Sequence, residues 1–151
     1  MTTTATSFDQ PRMEIARAAP SLHRALVSLG NEVDLDPHLR ELVNLRASIL
    51  NGCAYCIDMH TKIARAAGES DRRLHALAAW HEAPFFDDRE RAALGLTDAV
   101  TLIADRHVPS DVWEEASARF QTEELAQLVW AITVINAWNR IAITPRMAPA
   151  R

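Results

Sequence analysis

The chain reads as all-α, and three observations say so. Apolar residues recur at helical spacing from end to end, no stretch alternates apolar with polar between hairpin turn signals, and prolines, glycines and capping residues punctuate the pattern at intervals suited to short helices. A short helix is expected from Pro11 to Ala18. A second runs from Pro20 to Leu29, with Leu22, Leu26 and Leu29 recurring and Gly30 as its stop. Asp36-Pro37 opens the third, since Asp can cap free N–H groups and Pro suits the first helical position. Its apolar face is Leu39, Leu42, Val43, Ile49 and Leu50, and Asn51-Gly52 closes it.

A fourth helix starts at or just after Cys53 and ends near Gly68. Ser70 then caps a stretch to about Trp80, Pro84 breaks it, Asp87 or Asp88 starts a longer helix to about Ala104, and Pro109-Ser110 begins one ending near Phe120. The last helix, Thr122 to about Thr144, is apolar nearly all the way round, so it should be buried on most sides, at the centre of the domain or against a second subunit. One helical bundle domain over 11–145 is expected, with tails at 1–10 and 146–151.

Composition narrows the function. At 151 residues, 48% hydrophobic and 24% charged, the chain can bury a real core. Its net charge of −4 and lack of a basic run argue against nucleic acid or an acidic membrane surface as partner. Met1 to Gln10 lack the basic start and apolar stretch of a leader, and no window approaches the roughly 20 apolar residues of a membrane helix. A cytoplasmic protein is expected. In a reducing compartment a close cysteine pair points to redox or metal chemistry more than to a structural staple.

Both cysteines of the chain lie in Cys53-Ala54-Tyr55-Cys56-Ile57-Asp58-Met59-His60, at a helix start. Unpaired backbone N–H groups and the positive end of the helix dipole stabilise a thiolate there, and the thiolate is the nucleophile. Cys56 and His60 are four apart, hence on one helical face, where the imidazole can accept or relay a proton. The Cys53–Cys56 spacing permits a disulfide across the first turn.

Glu41 stands ten residues before Asn51 and His60 eight past Gly52. These are roughly 15 Å and 12 Å of helix, so an antiparallel hairpin brings the two level. Glu41 shares a stripe with Leu45 and the small Ser48, which would let the cysteine helix approach closely. A carboxylate there orients the imidazole and completes a route for the thiol proton. The other reading is a solvated acid paired with Arg40 or Arg46.

Glu41 followed by Cys53-x-x-Cys56-x-x-x-His60, with the run from Arg46-Ala47-Ser48 through Asn51-Gly52-Cys53-Ala54-Tyr55-Cys56, resembles the alkylhydroperoxidase D branch of the carboxymuconolactone decarboxylase family. The likeness is strongest from Asp36 to Gly68. It implies an all-helical fold, a homo-oligomer (trimer or hexamer) and a peroxidase needing no cofactor and no metal. Its partners would be a hydroperoxide and a dithiol reductant or redox partner protein. Carried over by position, Cys56 is the attacking thiol, Cys53 the resolving one, and His60 with Glu41 the proton relay; Tyr55 and Ser48 support them. Tyr55 stands where better-studied members have a second histidine, and a phenol with a pKa near 10 is a poor base at neutral pH. Two alternatives stay open: a decarboxylase or other protein on the same scaffold, and a zinc site built from Cys53, Cys56, His60 and Glu41.

The remaining histidines, His23, His38, His75, His81 and His107, lack ligand spacing and read as surface or partly packed residues. Trp80, Trp113, Trp130 and Trp138 read as core or interface anchors, and Asn136, Asn139 and Arg140 as makers of interhelical or intersubunit hydrogen bonds.

Overall fold

The structure is a computed structural model that describes residues 10–149; the rest of the two expected tails, 1–9 and 150–151, lies outside the described residues. Among the described residues there are helices and no strands: α1 (Ile15–Ala18), α2 (Pro20–Asn31), α3 (Pro37–Asn51), α4 (Ala54–Ala66), α5 (Asp71–Ala76), α6 (Asp88–Thr101), α7 (Ile103–Arg106), α8 (Ser110–Arg119) and α9 (Thr122–Ile143). A 3-10 turn, Leu77–Ala79, extends α5. No helix of the described residues is long and apolar enough to cross a membrane.

Capping side chains set the starts of α3, α5 and α6. Asp36 Oδ1 accepts the Leu39 N–H at 2.9 Å with Pro37 in the first turn of α3, and Ser70 Oγ accepts the Arg73 N–H at 3.3 Å at α5. At α6, Asp87 and Glu90 form a reciprocal capping box, Glu90 N–H to Asp87 Oδ1 at 2.8 Å and Asp87 N–H to Glu90 Oε2 at 2.9 Å. Such caps contribute about 1 kcal/mol each.

Three elements depart from the sequence reading. The first helix begins at Ile15, not Pro11, and no side chain caps it. Gly30 does not stop α2 but lies buried in its last turn, where an added Cβ would sit at ordinary contact distance, 3.5 Å from Val134 Cγ1 and 3.9 Å from Arg40 Nη2, and the helix runs on to Asn31. The helix expected to reach Ala104 breaks at Leu102 (φ −98°, ψ 34°) into α6 and α7. Leu102 and Ile103 are 47% and 51% exposed, so no packing holds the later turn in register with α6.

The larger correction concerns the centre of the bundle. That place belongs to α3: every residue from Leu42 to Ser48 is buried. Leu39 and Val43 join one core with Ala93 and Leu96 of α6, Ala116 of α8 and Leu128 and Ile132 of α9, while Leu42 and Leu45 join a second with Ala64, Leu74, Leu77, Trp80 and Leu94. The all-round apolar α9 packs on one side only, leaving Trp130 52% and Ile143 44% exposed. Polar residues disguised α3 in the sequence, yet each has partners. Arg46 makes a two-pronged ion pair with Asp98 (Nε–Oδ1 2.6 Å, Nη2–Oδ2 3.0 Å) and donates to the carbonyl of Leu77 at 3.0 Å. Trp80 Nε1 adds a bond to Asp98 Oδ2 at 3.1 Å, tying α3, the 3-10 turn and α6 together.

Candidate active site

Gly52 makes the turn that builds the site. Its left-handed backbone (φ 69°, ψ 33°) caps α3, and the next residue, Cys53, donates its N–H to Ser48 O at 3.0 Å. The chain then enters α4 with Cys53 as N-cap, its Sγ accepting the Cys56 N–H at 3.3 Å. Cys53 and Cys56 are joined in a disulfide, with Cα atoms 5.3 Å apart. Cys53 is fully buried and Cys56 is 2% exposed. Both sulfurs therefore sit in the first turn of a 13-residue helix, at the positive end of its dipole.

One turn along α4, His60 is buried and its Nδ1–H donates to Glu41 Oε2 at 2.7 Å. An ionised carboxylate only accepts, so this bond holds the ring in one orientation, and in the neutral ring the other nitrogen is the acceptor. The second Glu41 oxygen accepts from Asn44 Nδ2 at 3.2 Å. Neither arginine considered as its partner pairs with Glu41. Arg40 donates to the carbonyls of Gly30 (2.8 Å) and Val33 (3.3 Å), and Arg46 is held by Asp98.

Ser48 does something other than thin the α3–α4 contact. Its Oγ donates to Asn44 O at 2.7 Å and accepts from Asn139 Nδ2 at 3.0 Å, so it faces α9. Asn51 Nδ2 in turn donates to Asn139 Oδ1 at 2.8 Å and Asn136 Oδ1 at 3.0 Å. Asn136 reaches Thr101 Oγ1 at 2.9 Å, and Arg140 donates to the Asn136 carbonyl at 3.0 Å. This amide ladder fastens the turn before the cysteines to α9. Asn136 and Asn139 make the expected interhelical bonds, whereas Arg140 bonds back to Asn136 within α9.

A pocket of about 280 Å³ opens beside the disulfide. Cys56, His60 and Tyr55 line it, together with Asn44, Met59, Ala131, Val134, Ile135 and Ala142; Cys53, Ser48 and Glu41 do not. Four further lining residues carried no signal in the sequence: His23, Arg40, Trp138 and Met147. His23 packs edge-on against Trp138, ring centroids 5.3 Å apart at 73°. Lone residues on four different segments meet here only because α2 and the segment after α9 fold over the mouth of the α3–α4 hairpin. Met147 N–H is held by Ala142 O at 2.9 Å. Among the described residues no group of three or more His, Cys, Asp or Glu side chains is arranged to hold a metal ion; the candidate zinc set is instead a disulfide and a His–Glu pair.

Comparison with known proteins bears on the same segments. Residues 14–99 match the family model described as the carboxymuconolactone decarboxylase family. An uncharacterized Bacillus subtilis protein, YdfG, is 44% identical over 130 residues, covering 86% of this chain and 88% of its own. YnjA of Escherichia coli, also uncharacterized, is 33% identical over 103 residues, 68% of this chain and 56% of its own. In three dimensions the chain superposes on an Agrobacterium tumefaciens protein of unknown function, described as a candidate antioxidant defence protein AhpD, with a TM-score of 0.92, 40% identity and coverage of 94% and 99%. A peroxidase-related protein from Ralstonia eutropha with an alkylhydroperoxidase AhpD core shares the fold at a TM-score of 0.78 and 22% identity, over 90% of this chain and 74% of that one. By these matches the chain belongs to the carboxymuconolactone decarboxylase family, with the AhpD-like all-helical fold.

Proposed function

We propose that the protein is a thiol peroxidase that reduces organic hydroperoxides or hydrogen peroxide by a Cys53/Cys56 sulfenic acid and disulfide cycle. The observation that carries this reading is the placing of one sulfur, Cys56, on the wall of a pocket. It stands at a helix N-terminus and one turn from an imidazole that a buried carboxylate orients.

In the reduced protein the Cys56 thiolate attacks the distal oxygen of R–O–OH. An S–O bond forms as the O–O bond breaks, and the leaving alkoxide takes a proton passed through His60, so the peroxide gains two electrons and departs as alcohol. Cys53 then attacks the sulfenic sulfur, a disulfide forms and water leaves. A dithiol reductant restores both thiols by two exchanges. Cys56 as first attacker fits its place on the pocket wall, while Cys53 is wholly enclosed and suited to the second step. Tyr55 lines the pocket as a hydrogen-bond donor, and Ser48 supports the hairpin through Asn139.

The test is peroxide consumption with dithiothreitol as reductant. Cys56→Ser should lose all activity, and Cys53→Ser should lose sustained turnover while still consuming about one equivalent. Full activity in Cys56→Ser would end this reading. We place the protein in the cytoplasm as a homo-oligomer, trimer or hexamer. Large exposed apolar side chains on the single chain, Leu22 at 72% and Trp130 at 52% among them, support self-association.

A further inference from the structure

We infer that the pocket beside Cys56 is built for a ligand that carries a carboxylate on an apolar body, and that Arg40 is the residue that selects it. The chain as a whole has a net charge of −4, yet no aspartate or glutamate lines this pocket. Its wall holds one permanent cation, Arg40, together with His23 and His60. Arg40 is half-buried, and among the described residues it makes no ion pair. Two of the five guanidinium N–H groups are spent on the carbonyls of Gly30 and Val33, which leaves three for a ligand. Those two carbonyls belong to the end of α2 and the segment after it, so they fix the guanidinium in place without neutralising its charge.

A cation held this way beside an apolar wall has its charge uncompensated until an anion arrives. A planar carboxylate matches the guanidinium fork. The rest of the wall accounts for the apolar body: Val134, Ile135, Trp138, Met147 and Met59. His23, Trp138 and Met147 also line a neighbouring cavity of about 320 Å³, whose other walls include Met13 and Ile15. The two cavities share these three residues as a common wall, and Glu14 and Arg146 also line the second.

The binding claim stands by itself; the assignment of the carboxylate to an oxidant rests on the peroxidase reading above. A carboxylate of this kind can belong to the hydroperoxide or to the dithiol, and the experiment separates them. Octanoate and octanamide are titrated calorimetrically into the reduced wild-type protein and into Arg40→Gln and Arg40→Lys. Octanoate should bind wild type about tenfold more tightly than octanamide, as one charge-assisted contact allows. Arg40→Gln should abolish that preference and Arg40→Lys should keep part of it. Equal binding of acid and amide by wild type overturns the inference without any variant, and so does a preference that survives in Arg40→Gln.

Turnover is then measured with a hydroperoxy fatty acid and its methyl ester, using dithiothreitol. A KM about tenfold lower for the acid, with similar kcat, assigns the carboxylate to the oxidant. Equal KM values alongside a binding preference assign it to the reductant, which a carboxylated dithiol compared with its amide checks. Binding preference with no turnover of any hydroperoxide removes the peroxidase reading and leaves the anion site standing.

Discussion

In the proposed cycle Glu41 acts on Cys56 only through His60, whose Nδ1 lies 2.7 Å from its Oε2. That makes it a positioning residue in the proposal, and its replacement has a specific expected signature. Glu41→Gln keeps an acceptor near the ring but removes the charge, and should slow the second-order reaction of reduced Cys56 with peroxide about 10- to 100-fold. Stopped-flow oxidation checks this, with the later Cys53 condensation step read separately from the accumulation of trapped sulfenic acid. An unchanged rate would mean that the proton leaves by another route. The buried Asn139 makes a different kind of claim. It accepts from Asn51 and donates to Ser48, so Asn139→Ala removes two hydrogen bonds between α3 and α9 and should lower stability by about 1–3 kcal/mol in urea denaturation.

At the scale of elements, the α3–α4 hairpin is the part of the molecule that the sequence made most legible. Asp36-Pro37, Asn51-Gly52 and Ser70 act locally, through caps and a left-handed turn, so their positions alone set where the helices start and stop. The level placing of Glu41 and His60 followed from helix rise. What stayed hidden depends on contacts between distant segments. The buried place of α3 rests on partners for Arg46 and Ser48 that lie on other elements, Asp98 on α6 and Asn139 on α9. The pocket's His23, Arg40 and Trp138 likewise meet only through tertiary packing, and α2 runs one residue past Gly30, where a stop was expected. One substitution tests this account of α3. Asp98→Ala leaves the enclosed Arg46 without its counter-charge and should cost about 3 kcal/mol, read from the denaturation midpoint at unchanged slope. A loss below about 0.5 kcal/mol would mean that the pair behaves as a surface salt bridge.

For the whole molecule, the proposed chemistry lies at one hairpin, around which the remaining helices pack. The exposed Leu22, Ile103, Trp113 and Trp130 belong to surfaces that a single copy leaves open. Sedimentation should therefore report a trimer or hexamer, and a monomer at micromolar concentration would contradict that assignment. The central claim concerns which sulfur the assembled protein offers to peroxide. It is tested most directly by intact-protein mass spectrometry of reduced Cys53→Ser and Cys56→Ser after one equivalent of hydroperoxide in the presence of a sulfenic acid trap. The account predicts a single trap adduct in Cys53→Ser, located at Cys56 on peptide mapping, and none in Cys56→Ser. An adduct at Cys53 in Cys56→Ser, or an unmodified Cys56 in Cys53→Ser, would contradict it.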